Sequence, residues 1–467
     1  MEGVTLANMS GKLAAGLCAL ALAAGPAAGA ERAKNVILFI GDGMGVSTLT
    51  AARIYDGQKR GVDGASNLLS FETFPDLALV RTYSADSLVT DSAAGASALL
   101  TGRRTLNGAL GVTDKIKFAD CASAKDQSAP TLAEQAKQAG LAVGVVTTAA
   151  ITDATPASLY AHTPSRRWQS DADLPPEAVE AGCVDIARQM LDVPKANRFD
   201  VMLGGGQANF VAEDGKRMDS RDLTDEWRTA GGLYVQTATE LAAAPKSGAP
   251  LLGLFAPNNM MRDTARQATG TDAPTLTQMT TQAIERLAEN EKGYFLMVEG
   301  ALIDKAHHIS LAGEALNETV EFSKAIAAAA AMTDPKDTLI IVTADHSHGL
   351  TINGGARDTS ILGVLQGNDD DPPVALDGRT VPILMYASGP GAPTAGEPRA
   401  VPTRTDVDDP DRLTYAAVPL LSAAHTGEDV AAYARGPGAS KIRGLMDQPG
   451  VNRVMKEALG LESGPRL

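Results

Sequence analysis

Four of the chain's six histidines fall in two short runs, His307-His308 and His346-Ser347-His348. A carboxylate stands just ahead of each run, Asp304 before the first and Asp345 before the second. A lone histidine is more often a hydrogen-bonded core residue than a ligand. Beside carboxylates, imidazole becomes half of a donor set that suits zinc. Asp304 and His308 are four positions apart, so on a helix they share one face and could grip one ion. His307 stands three along, and spacing alone does not exclude it.

A nucleophile is also visible. Thr90-Asp91-Ser92-Ala93-Ala94 reads as the start of a small-residue helix, where the N-terminus favours an anion and an activated oxygen. On that segment alone, Ser92 or Asp91 serves equally well as a plain N-cap. The chain has no G-x-S-x-G elbow, so serine activation would have to come from a metal. Gly41-Asp42-Gly43-Met44-Gly45 has neither phosphate-loop nor dinucleotide spacing. Its glycines instead leave room for Asp42 to point into a crowded site.

These residues follow short β-branched apolar runs: Val36–Ile40, Val143–Thr147, Val201–Leu203, Tyr294–Val298, Leu339–Thr343 and Ile383–Tyr386. Helical patterns lie between them at Pro130–Ala139, Thr275–Glu289 and Glu314–Met332. The alternation predicts an α/β fold, a mostly parallel sheet with helices on both faces. Ligands in such sheets bind beyond the carboxyl ends of the strands. Four of these ends bring a carboxylate: Asp42, Asp153, Glu299 and Asp345. N-caps alone explain four such coincidences poorly. Two stretches break the rhythm. Asn197–Asn259 reads as surface excursions. Leu350–Ala424, with one convincing strand near Val381–Ala387, reads as an irregular insertion near the rim of the sheet.

The chain has 467 residues, 44% of them hydrophobic and 21% charged, which is ordinary globular composition. Its net charge of −15 argues against general nucleic-acid or anionic-membrane binding, because no basic excess exists to displace counterions. Leu13 to Ala24 is apolar, follows Lys12, and leads to Ala28-Gly29-Ala30. This is the pattern of a secretory signal over residues 1–30, leaving one domain over 31–467 in the periplasm or secreted. The remaining cysteines, Cys121 and Cys183, form an even pair for which export predicts one disulfide.

At this point the residues carry a resemblance. GDGMG around Asp42, TDSAA around Ser92, DATP at Asp153 with the following SR at Arg166, VEGALIDKAHH from Val298, TADHSHG from Thr343 and AHTG around His425 resemble the bacterial alkaline phosphatases. The match runs over nearly the whole mature sequence. It implies an exported hydrolase of phosphate monoesters that works through a phosphoserine at Ser92, with Arg166 clamping the phosphate. It implies one zinc held by Asp304, His308 and His425. A second zinc would be held by Asp42, Asp345 and His346, with Ser92 on the substrate side, and a magnesium by Asp42, Thr155 and Glu299. Asp153 and Lys305 would act around that ion and the phosphate, and His348 would orient a zinc ligand. Family members are commonly homodimers with a small crown insertion, which would correspond to about 350–424. His307 receives no role, and Trp168 stands where some relatives have a cysteine.

Charge supports the scheme independently. Five carboxylates (Asp42, Asp153, Glu299, Asp304, Asp345) against Arg166 and Lys305 leave −3, which repels phosphate; three divalent ions reverse it to +3. Related diesterases and sulfatases are the nearest alternatives. Diesterases typically replace the arginine clamp, and sulfatases need an x-Pro-x-Arg sequence after the modified residue, which Ser92 lacks. An exported zinc-binding protein without turnover would leave Ser92 and Arg166 without a purpose.

Overall fold

The computed structural model describes residues 32–366, 373–394, 396–403 and 406–461. The proposed signal segment lies outside the described residues.

Thirteen strands are present among the described residues. β1 (Asn35–Gly41), β3 (Ala142–Ala150), β7 (Tyr294–Gly300) and β8 (Thr338–Thr343) are buried along their whole length. Such continuous apolar runs suit strands covered on both faces. With β2 (Asp76–Arg81), β4 (Val201–Gly205), β5 (Leu233–Val235), β6 (Leu251–Leu254), β12 (Val430–Arg435) and β13 (Gly444–Asp447) they form one ten-stranded sheet. Its order is β13-β2-β12-β8-β1-β7-β3-β4-β6-β5. Only β12 runs against the rest, pairing antiparallel with β2 and β8. β1 sits in the middle with β7 and β8 as parallel neighbours. The segments after these three strands, which carry Asp42, Asp304 and Asp345, therefore emerge side by side.

The expected helices appear as Leu132–Gln138, Leu276–Leu287 and Ala312–Met332. The first two start with a capping box, Thr131 with Glu134 and Thr275 with Gln278. The third ends in the alanine run 327–331, expected to pack closely; Ala329 is buried, but Ala327 and Ala331 are exposed.

Two expectations need correction. The 197–259 stretch is not merely surface excursion. Besides β4, which the Val201–Leu203 run predicts, it supplies β5 and β6, and β4 and β6 are fully buried. β6 is Leu-Leu-Gly-Leu, without a β-branched residue, so it lacks the composition that marks the other strands. The described residues of the 350–424 region hold not one strand but three: β9 (Leu350–Ile352), β10 (Leu384–Gly389) and β11 (Ala416–Pro419). They form a separate small sheet in the order β11-β10-β9.

Candidate metal centre and active site

The Ser92 segment folds as the small-residue helix expected. Helix Ser92–Thr101 begins at Asp91, whose side chain accepts the Ala94 amide, and ends at Gly102 with φ of 74°. All ten helix residues are buried, since Ala, Gly and Ser let the helix pack closely. Ser92 Oγ lies 3.2 Å from His346 Nε2. His346 Nε2 in turn lies 3.3 Å from Asp42 Oδ1 and 3.4 Å from Asp345 Oδ2. The amides of Gly43 and His346 donate to Asp345 Oδ1 at 3.1 and 3.0 Å and fix that carboxylate. Gly43 has φ of 67°, and a Cβ there would stand 2.8 Å from His348 Cδ2, so the site needs glycine for shape as well as for backbone.

Helix Leu302–His308 presents Asp304 and His308 on one face. Asp304 Oδ1 lies 2.7 Å from His348 Nε2, and 3.4 Å from both His308 Nε2 and His425 Nε2. His308 and His425 bring their Nε2 atoms to 3.1 Å of each other. Their other nitrogens face oxygen: His308 Nδ1 the Ala423 carbonyl at 2.8 Å, His425 Nδ1 the Thr90 carbonyl at 3.3 Å. This is the outer contact that orients a ligating imidazole. Asp304, His308, His348 and His425 can converge on one ion, and Asp42, Asp304 and His346 on another. Spacing left His307 open, and the structure decides against it. It is fully buried between Tyr386 Oη at 2.7 Å and Thr48 Oγ1 at 3.1 Å.

The Arg166 side chain is 21% exposed. Its Nη1 donates to Asp91 Oδ2 at 3.1 Å and its Nη2 to Asp153 Oδ1 at 2.9 Å. Lys305 Nζ lies 3.3 Å from Asp153 Oδ2 and 3.4 Å from Asp304 Oδ2. Asp91 is a site residue that sequence reasoning took only for a cap. It carries both jobs, and its partner lies 75 residues away, beyond the reach of any local signal. Thr147, which donates to Glu299 Oε2, was also missed. Cys121 and Cys183 form the expected disulfide, closing a separation of 62 residues.

Burial pushes Asp42 well above the usual carboxylate range, and Asp304 and Asp345 push it further. Burial lifts Asp345 to about 6, with Asp304 adding. Burial also lifts Glu299 to about 8, against the Thr147 hydrogen bond and with help from Asp153. Asp153 goes the other way: burial would raise it, but Lys305 and Arg166 hold it below its ordinary value. Burial keeps His346 well below the imidazole value and His308 at about 4, so both offer a lone pair. Carboxylates that repel one another and neutral imidazoles beside them are what a divalent cation resolves. Asp42 Oδ1 and Asp345 Oδ2 are buried without a hydrogen-bond partner, as ligand atoms would be. The donor sets therefore fit metal ions. A cavity of about 870 Å³ beside Tyr55 and Arg357 shares no residue with this cluster.

Comparison with known proteins agrees. The sequence profile described as "Alkaline phosphatase" matches residues 33–461. The tissue-nonspecific alkaline phosphatase isozyme of Gallus gallus is 39% identical over 447 residues, covering 91% of this chain and 84% of that protein. The Homo sapiens isozyme is 38% identical over 446 residues, covering 91% and 83%. Among solved structures, Thermus thermophilus alkaline phosphatase superposes with a TM-score of 0.67 at 26% identity, covering 93% of this chain and 92% of that one. The profile and the relatives span the same stretch of chain that builds the site: the protein belongs to the alkaline phosphatase family of metal-dependent phosphomonoester hydrolases.

Proposed function

We propose that the chain is an exported alkaline phosphatase that hydrolyses phosphate monoesters through a phosphoserine at Ser92 and releases inorganic phosphate. The observation that carries this reading is the meeting of Ser92 Oγ, His346 and a doubly anchored Arg166 at one helix N-terminus. Asp304, His308 and His425 would hold one zinc. Asp42, Asp345 and His346, with Ser92, would hold the second. Asp42, Thr155 and Glu299 would hold a magnesium, because they offer only oxygen, the donor that hydrated magnesium prefers. When bound, the cations lower the pKa of the serine hydroxyl and stabilise the leaving oxygen.

The protein's own residues do the rest. Arg166 binds two non-bridging oxygens, with Asp91 and Asp153 fixing the plane of its guanidinium. Lys305 adds positive charge on the same side. Ser92 Oγ attacks phosphorus, the bond to the ester oxygen breaks, and the alcohol leaves with a proton. Water then attacks phosphorus, the Ser92 Oγ–P bond breaks, and the serine regains its proton as phosphate departs. His348, 2.7 Å from Asp304, orients that carboxylate.

Residues 1–30 would be the removed signal and 31–467 the mature domain, acting in the periplasm or outside the cell as a homodimer. Among the described residues no helix is long and apolar enough to cross a membrane. Assay of metal-loaded protein on monoester, diester and sulfate-ester substrates tests the reading. Monoester turnover should dominate and vanish with chelation. Preferential diester or sulfate-ester turnover would overturn it.

A further inference from the structure

We propose that Gln448, on the C-terminal helix, is a positioning residue that holds the Asp345–His346 peptide in register with the Ser92 helix. The C-terminal helix spans Gln448–Leu459 and buries Val451, Val454, Met455 and Ala458. Two polar residues on it are also buried, Gln448 with no exposure and Asn452 at 2%. They stand four apart, hence one turn from each other on one face. Asn452 Nδ2 donates to the Leu99 carbonyl at 2.9 Å, late in the Ser92 helix. Gln448 Nε2 donates to the Asp345 carbonyl at 2.7 Å, across 103 residues of chain.

The junction is tight. A Cβ built on Gly95, in the first turn of the Ser92 helix, would stand 3.1 Å from the Asp345 carbonyl oxygen and 3.2 Å from Gln448 Nε2. The nucleophile helix, the metal loop and the C-terminal helix therefore meet at one point. The Asp345 carboxylate is already tied to the amides of Gly43 and His346, but its carbonyl side is held by Gln448. That peptide leads directly into His346, whose Nε2 is 3.2 Å from Ser92 Oγ. A carbonyl deprived of its donor turns its peptide plane to find another, and the His346 ring turns with it. Gln448 thus touches neither substrate nor metal. It sets where two proposed ligands point.

The inference rests on the metal assignment of Asp345 and His346. Its test compares Gln448→Met, which keeps size and loses the donor, with Gln448→Asn, whose amide is one methylene too short. Asn452→Ala serves as control, losing an equivalent bond on the next turn. Zinc retention is read by competition with a chromophoric chelator, and unfolding temperature in parallel. Both Gln448 variants should hold zinc about 10-fold more weakly, in the range for outer-shell changes. Asn452→Ala should lower the unfolding temperature and leave zinc retention unchanged. Equal zinc loss in all three variants, or none in any, would overturn the role of Gln448. Failure of both Gln448 variants to fold while Asn452→Ala folds would overturn it too, because it would make Gln448 a folding residue. A wild-type protein that does not retain zinc would instead sink the metal assignment itself.

Discussion

Replacing Arg166 with alanine should separate monoesters from diesters. Its guanidinium has five donors, and one on each terminal nitrogen is spent on Asp91 and Asp153. The rest are free for a phosphoryl group. A hydrogen bond to a charged partner contributes about 1.5 to 3 kcal/mol, so two give about 3 to 6 kcal/mol. The side chain is 21% exposed, so water competes and the lower half of that range applies. The expected loss in monoester kcat/KM is therefore about 3 to 4 kcal/mol, roughly 100- to 1,000-fold. A diester carries one charge instead of two and should lose only about 10-fold. Arg166→Lys, a point charge without the fork, should fall between wild type and alanine on monoesters. The assay is kcat/KM on a matched aryl monoester and diester, with metal content measured for each variant. Equal losses on both substrates at equal metal content would refute the clamp and leave Arg166 a structural residue.

Other expectations follow from the same geometry. Ser92→Ala should cut kcat by roughly 10,000-fold, about 5 kcal/mol of barrier or more, with zinc still bound. Protein dialysed against both ions should hold two zincs and one magnesium per chain by elemental analysis, and Asp153→His should shift the third site toward zinc by offering nitrogen. Three tightly held zincs in the unmutated protein would contradict that. Replacing Cys121 and Cys183 with serine should destabilise by about 4 kcal/mol in the chain-entropy account of the 62-residue separation, seen as a lower denaturant midpoint. Burial lifts Glu318 to about 8. A raised acid stabilises the fold below its unfolded value and loses that contribution as pH rises through its folded value. Stability should therefore fall by a few kcal/mol between about pH 5 and pH 9, and Glu318→Gln should flatten that slope in urea titrations at pH 6 and 9.

The central strands were legible because β1, β3, β7 and β8 are buried on both faces and read as unbroken apolar runs. The exposed positions of β2 include Leu77 and Leu79, so its sequence shows no apolar–polar alternation, and β12 is Val-Ala-Ala-Tyr-Ala-Arg, poor in β-branched residues, so neither stood out. The ligand candidates were legible because chemistry clusters them at strand ends. Asp42, Asp304, Asp345, His308, His346, His348 and His425 do come together. What holds them was not legible. Asp91 reaches Arg166, Thr147 reaches Glu299 across 152 residues, and Gln448 reaches Asp345. Each is a long-range partner whose residue type is common on any surface, so only the fold reveals it. His307 shows the converse. Its spacing allowed a ligand, and only Thr48 and Tyr386, brought in by other elements, show that it is a buried structural imidazole.

The most direct test is to quench metal-loaded protein in acid during turnover of a labelled phosphate monoester and map the label by peptide mass spectrometry. The account predicts a phosphoryl group on Ser92 and none in Ser92→Ala. Label on another residue, or steady turnover with no covalent label at any pH of quench, would contradict it.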